Sequence, residues 1–171
     1  MSYAIETIAE YIGARRIGKH DAMIDWLLTD SRSLSFPEET LFFALVSHRN
    51  NGARYISELY DRGVRNFVVR EQDYAKIKQE NWEDLNVLFV ANPLQALQKL
   101  AEIHREKFQI PVIGVTGSNG KTIVKEWLHQ LLSPDRNIVR SPRSYNSQVG
   151  VPLSVWQLNE DAELGIFEAG I

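Results

Sequence analysis

The segment Gly114-Val115-Thr116-Gly117-Ser118-Asn119-Gly120-Lys121-Thr122 holds the residue types that a triphosphate needs. Phosphate oxygens ask for several converging N–H donors, a cation for the outer phosphates and a metal ligand close by. A glycine-rich turn between a strand and a helix N-terminus supplies the donors, because glycine lets the backbone approach and the helix dipole favours an anion. Gly117 and Gly120 shape such a turn around Ser118 and Asn119. Lys121 would pair with the β/γ phosphates, and the Thr122 hydroxyl would bind Mg2+. The general pattern G-x-x-x-x-G-K-[ST] expects glycine at 115, where this chain has Val115, with Gly114 one place earlier. A strand-to-helix turn with an incidental lysine is the plainer alternative. Both flanks speak for phosphate: an apolar strand, Val112–Val115, precedes the loop, and a helix with Val124, Trp127, Leu128 and Leu131 at one-face spacing follows it.

Such a loop must hang between strands and helices, and the rest of the chain reads that way. Ile5, Ile8, Ala9 and Ile12 stand at helical spacing, with Gly13 as a stop. An apolar run, Ile24 to Leu28, enters the polar turn Thr29-Asp30-Ser31-Arg32. Leu41–Val46 reads as a buried strand, followed by the polar loop 47–52. Ile56, Leu59 and Tyr60 mark a helix ending near Gly63, and Phe67–Val69 and Val87–Val90 read as strands. Asn92-Pro93 opens a helix with proline at its first position and Leu94, Leu97, Leu100 and Ala101 on its buried side. Residues 164–168, LGIFE, read as a strand entering a sheet. Glu168 then stands where a metal ligand belongs, at the C-terminal edge of a parallel strand beside a phosphate loop. Strand and helix signals alternate, so the fold class is α/β. The domain boundary is expected around His104–Ile110, dividing the chain into 1–106 and 107–171. The stop at Ile171, just past a strand, reads as a piece of a longer protein.

Composition narrows the function classes. Among 171 residues there is no cysteine, which excludes disulfides, thiolate metal sites and a cysteine nucleophile. A net charge of −3 gives no electrostatic reason to propose nucleic acid. The opening MSYAIETIAEYIG does not fit a signal peptide, and no apolar run approaches the roughly 20 residues that span a bilayer. The expected compartment is the cytoplasm, with no membrane partner. The four tryptophans, Trp26, Trp82, Trp127 and Trp156, are expected to pack in or against the core.

The variant spacing of the loop, G-x-T-G-S-N-G-K-T, resembles the ATP-binding signature of the Mur ligases and their folylpolyglutamate synthase relatives. Tyr145-Asn146-Ser147-Gln148-Val149-Gly150-Val151-Pro152-Leu153 resembles the N-x-x-G-x-P segment of the D-alanyl-D-alanine-adding type, and IFEAG at 166–170 the family strand whose glutamate binds Mg2+. Asp30-Ser31-Arg32, Leu41-Phe42-Phe43-Ala44-Leu45 and His48-Arg49-Asn50-Asn51-Gly52 resemble the family's N-terminal domain. Their wording is similar to Bacteroidetes ligases fused to an alanine racemase.

The resemblance implies a small N-terminal α/β Mur-ligase domain that binds a UDP-sugar, over 1–106. The beginning of a P-loop ATPase-type parallel-sheet domain would follow over 107–171. It implies UDP-sugar contacts from Thr29, Ser31, His48, Arg49 and Asn50, catalytic roles for Lys121 and Asn146, and Mg2+ on Thr122 and Glu168. On the residues alone, Asp30-Ser31-Arg32 serves equally as a structural turn, His48 as a solvated loop residue and Asn146 as a turn cap. The implied activity is ATP-dependent amide ligation of D-alanyl-D-alanine to UDP-N-acetylmuramoyl-tripeptide in peptidoglycan precursor synthesis. The alternatives are the type that adds the third amino acid, and a non-catalytic UDP-sugar-binding module. The 171-residue chain alone is expected not to turn over.

Overall fold

Short runs of β-branched and aromatic residues become the strands of parallel sheets here, and the apolar stripes between them become helices. The computed structural model describes residues 1–48, 50–76 and 84–170. The chain divides into two units, Met1–Leu97 and Gln98–Ile171.

In the first unit β1 (Tyr3–Ala4) runs into α1 (Ile5–Tyr11), followed by β2 (Arg15–Ile17), β3 (Met23–Ile24) and β4 (Trp26–Leu28). Then come β5 (Thr40–Phe43), α2 (Ile56–Asp61), β6 (Asn66–Arg70) and β7 (Asn86–Val90). Five strands form one sheet in the order β2-β7-β6-β5-β4. Strands β4 to β7 are parallel, and β2 is antiparallel at the edge. Phe67, Val68 and Val69 on β6 are all fully buried. Consecutive buried residues mean that both faces of the strand are covered, which is why these runs read as continuously apolar. On one face Phe42, Phe67, Val69, Val87 and Phe89 pack with Ile56 and Leu59 of α2.

Helix α3 (Pro93–Glu106) carries the chain from the first unit into the second. Asn92 starts it, its Oδ1 accepting from the N–H groups of Leu94 at 2.9 Å and Gln95 at 3.3 Å. At 14 residues it is the longest described helix, and no helix among the described residues is long and apolar enough to cross a membrane. The second unit continues with β8 (Val112–Val115), α4 (Lys121–Leu132), β9 (Ile138–Arg140), α5 (Gly150–Val155) and β10 (Leu164–Glu168). The sheet order is β8-β10-β9, all parallel, so the last strand enters at the centre. All five residues of β10 are buried.

Three expectations need correction. The strand expected over 41–46 stops at Phe43. Leu45 N–H turns back to the Phe43 carbonyl, and Gly52 crosses so close that a Cβ there would lie 2.8 Å from Ala44 Cα. Three of the four residues expected on the buried side of α4 face outward: Val124 is 45% exposed, Trp127 63% and Leu131 73%. Lys125 is buried in their place, while Leu128, as expected, packs on the β8–β10 core together with Leu132. Of the tryptophans, Trp156 is buried, but Trp26 at the sheet edge and Trp127 on α4 are exposed, and Trp82 lies outside the described residues. Trp26 stacks on the equally exposed Phe36, with centroids 5.1 Å apart.

His104 of α3 is buried in the second unit, its ring against Phe108 and Trp156 and its Nε2 3.0 Å from the Leu158 carbonyl. Burial lowers its pKa from 6.5 to about 4, outweighing the hydrogen bond to Leu158, which acts the other way. The unfolded chain therefore takes up a proton below pH 6.5 that the folded chain refuses until about pH 4. Stability is full above the unfolded value and declines through that window by about 2–3 kcal/mol. Urea titrations at pH 7 and 4.5 should show this loss. A His104→Gln variant should lack that share of it; an unchanged pH slope in the variant would contradict the assignment.

Candidate active site

Parallel strands β8, β9 and β10 end on the same edge, and each sends a loop from it. The register pairs Glu168 with Val115, so the carboxylate stands level with the last residue before the phosphate loop. The ladder continues one step further, Ala169 N–H donating to the Val115 carbonyl at 2.9 Å. On the other side, Ser141 N–H donates to the Ile166 carbonyl at 3.0 Å, and Glu168 N–H to Ser141 Oγ at 3.0 Å. This geometry follows from sheet order, because the central strand has a loop from each neighbour beside its end.

The loop from β8 turns on Gly117 (φ 135°) and Gly120 (φ 76°), the second of which caps α4. Thr116, Ser118, Asn119 and Gly120 are exposed. The first helical residue, Lys121, folds its ammonium back over the loop and donates to the Gly117 carbonyl at 2.6 Å. Gly120 has open space where a Cβ would stand, so its backbone angle alone sets the cost of a side chain. Gly120→Ala is expected to lower stability by about 1–2 kcal/mol, read as a shift in urea midpoint.

Glu168 is only 1% exposed, and both of its oxygens are engaged. Thr122 Oγ1 donates to Oε2 at 3.0 Å, and Asn146 Nδ2 to Oε1 at 2.8 Å. Asn146 is held in turn by Gly170, whose N–H donates to the Asn146 carbonyl at 2.7 Å. The structure thus brings Thr122, Asn146 and Glu168 together, with Lys121 one residue away on the same helix turn. The donor set suits Mg2+: a hydroxyl and a carboxylate oxygen within 3.0 Å, both hard ligands. Among the described residues no cluster of three or more His, Cys, Asp or Glu could hold a metal by itself. One or two protein oxygens, with phosphates supplying others, is how Mg2+ is commonly held. A cleft of about 340 Å³ opens beside Asn146, with Gln98, Arg105, Gln148, Pro152 and Gly170 in its walls.

Lys125 is the residue that sequence reasoning missed. It lies three residues after Thr122 and four after Lys121, on the same helix face, and that spacing was the available signal.

In the first unit the candidate UDP-sugar residues also follow strand ends. Thr29 and Ser31 come after β4, and His48 and Asn50 after its parallel neighbour β5. Thr29 is half-buried, Ser31 buried, and His48 and Asn50 exposed, while Arg49 lies outside the described residues. Asp30 caps the turn, accepting from Arg32 N–H at 3.1 Å and from its guanidinium at 2.5 Å. The Arg32 side-chain hydrogen bond is the main reason the Asp30 pKa falls to about 2. After β5, Ser47 and Asn50 close a tight turn through Ser47 N–H to the Asn50 carbonyl at 2.8 Å. Asn51 ties this turn to buried Asp73 at 2.9 Å, and Arg70 pairs with the same carboxylate at 2.6 Å. Loops at the C-terminal ends of parallel strands are where open α/β sheets bind ligands.

Residues 115–171 match the Mur ligase middle domain. The UDP-N-acetylmuramoyl-tripeptide--D-alanyl-D-alanine ligase of Treponema pallidum is 41% identical over 171 residues, covering 97% of this chain and 37% of the relative. The ligase of the same name from Borreliella burgdorferi is 32% identical, over 88% of this chain and 33% of its own length. A MurF crystal structure from Acinetobacter baumannii superposes with a TM-score of 0.83 at 24% identity, covering 100% of this chain and 36% of that one, and shows the fold. The MurF ligase from Thermotoga maritima, solved with ADP, matches 84% of this chain and 31% of that one at 27% identity and a TM-score of 0.68. The chain spans about a third of the length of the curated relatives it matches. The loop signature, the sheet that carries it and these likenesses agree: residues 115–171 belong to the Mur ligase family, as its middle domain.

Proposed function

We propose that this chain supplies the nucleotide-sugar unit and the opening of the ATP site of a ligase that joins D-alanyl-D-alanine to UDP-N-acetylmuramoyl-tripeptide, in the cytoplasm, for peptidoglycan precursor synthesis. The observation that carries the reading is the convergence of Thr122, Asn146 and Glu168 at the end of β10, beside the glycine loop. The names of the relatives from Treponema pallidum and Borreliella burgdorferi support the same substrates.

In this reading the loop N–H groups and Lys121 bind the triphosphate, and Thr122 and Glu168 hold Mg2+. When bound, Mg2+ offsets charge on the β and γ oxygens. The substrate carboxylate takes the γ-phosphoryl group from ATP to give an acyl phosphate and ADP. The amine of D-alanyl-D-alanine then displaces phosphate. The chain's residues contribute position and charge rather than covalent chemistry. Asn146 orients Glu168, and the cleft beside it gives the substrate's carboxylate end a place within reach. Thr29, Ser31, His48, Arg49 and Asn50 hold the UDP end, so that binding energy far from the reacting atoms positions them. Domain limits of 1–106 and 107–171 belong to this reading. Calorimetry with the UDP-tripeptide tests the first half: heat of binding that is lost on joint replacement of Ser31 and His48 is expected, and unaltered binding would contradict it.

A further inference from the structure

Helix α4 turns a lysine toward the sheet rather than its apolar stripe. Lys125 has no exposed surface. A buried ammonium is tolerated only where hydrogen bonds and counter-charges replace its water. Its Nζ donates to the Ser141 carbonyl at 2.8 Å and to the Arg143 carbonyl. It also lies 3.3 Å from Glu126 Oε1 and 3.8 Å from Glu168 Oε2. Glu126 in turn pairs with Arg140 at 3.2 Å, so two cations and two carboxylates balance.

Both carbonyl partners belong to the loop that leaves β9. Among the described residues Arg143 alone is a non-glycine with positive φ, at 49°. The left-handed region is unfavourable for an L-residue, and something must hold it there. The Arg143 side chain is exposed, and its carbonyl is the one Lys125 grips. On one side of this grip, Ser141 Oγ accepts from Glu168 N–H. On the other, Asn146 reaches back to Glu168 Oε1.

We propose that Lys125 is a positioning residue: by holding the Ser141 and Arg143 carbonyls it fixes the left-handed turn that sets both Asn146 and Glu168 in place. The metal half of this statement rests on the reading of Thr122 and Glu168 as Mg2+ ligands; the turn half does not. Lys125 touches no substrate in this scheme. Its role belongs to the donors it carries, since glutamine could serve both carbonyls with its two N–H groups and methionine could serve neither.

Hydrogen exchange on the intact protein tests this. In Lys125→Met, amides within 141–147 are expected to exchange about tenfold faster, with the rest of the chain little changed. The Mg2+ needed for half-maximal ADP binding should rise several-fold. Lys125→Gln should keep near-normal protection and Mg2+ demand. Adding Arg143→Gly to Lys125→Met should restore much of the protection, because glycine adopts the turn unaided. Unchanged exchange in the methionine variant would overturn the proposal. So would a glutamine variant as unprotected as the methionine one, and that comparison with the unaltered protein decides the matter if methionine is not tolerated. Absence of any Mg2+-dependent ADP binding in the unaltered protein would instead defeat the functional reading of the site, while the exchange comparison would still decide the turn.

Discussion

Lys121→Ala in the intact protein is expected to lower ligation on the order of 10²–10³-fold, the usual consequence of deleting one aligned transition-state donor, while leaving UDP-sugar binding unchanged. Lys121 is the loop cation, placed as the first residue of α4 and folded over the Gly117 carbonyl. It is not packed into the core, so its removal should barely move the urea midpoint. The loss should appear in kcat as well as in the KM for ATP, because charge on the β/γ bridge grows as the bond breaks. Activity retained within a few-fold would sink the phosphate-loop assignment. Loss of both activities together would point to misfolding.

Glu168 carries the second large effect, and two substitutions separate its parts. Glu168→Gln preserves shape but removes the charge proposed to hold Mg2+. It also sets its own amide against that of Asn146, which donates to the same position at 2.8 Å. Activity is expected to fall about 10²-fold or more, and the Mg2+ dependence to weaken. Both substitutions leave Lys125 buried with one fewer counter-charge, but Glu168→Ala also removes the acceptor of Thr122 and Asn146, so it is expected to cost about 1–3 kcal/mol more stability than Glu168→Gln. Urea midpoints for the two variants check this ordering; equal midpoints would show that the hydrogen bonds from Thr122 and Asn146 contribute nothing measurable.

The phosphate loop was legible because its chemistry is backbone chemistry: glycines at 117 and 120 have the positive φ their spacing suggests. Glu168 was legible because an apolar run ending in one acid leaves that acid at a strand end. The face of α4 was not. Apolar periodicity chose Val124, Trp127, Leu128 and Leu131, but of these only Leu128 lies on the sheet-facing side, which follows Lys125, Leu128 and Leu132. Counting apolar residues cannot anticipate a lysine buried for its hydrogen bonds. Strands β2, β4 and β9 have three residues each, too short for any period to show, and pairing with neighbours alone defines them. The strand expected past Phe43 failed for a related reason, since Gly52 packs on the backbone of Ala44 and no apolar count records that crossing.

The reaction itself is the most direct test. The intact protein, given UDP-N-acetylmuramoyl-tripeptide, D-alanyl-D-alanine, ATP and Mg2+, is expected to form the UDP-linked pentapeptide with one ADP and one phosphate released per product. ADP release that proceeds equally well without D-alanyl-D-alanine, or no pentapeptide from a protein that binds both Mg2+-ATP and the UDP-tripeptide, would contradict the reading.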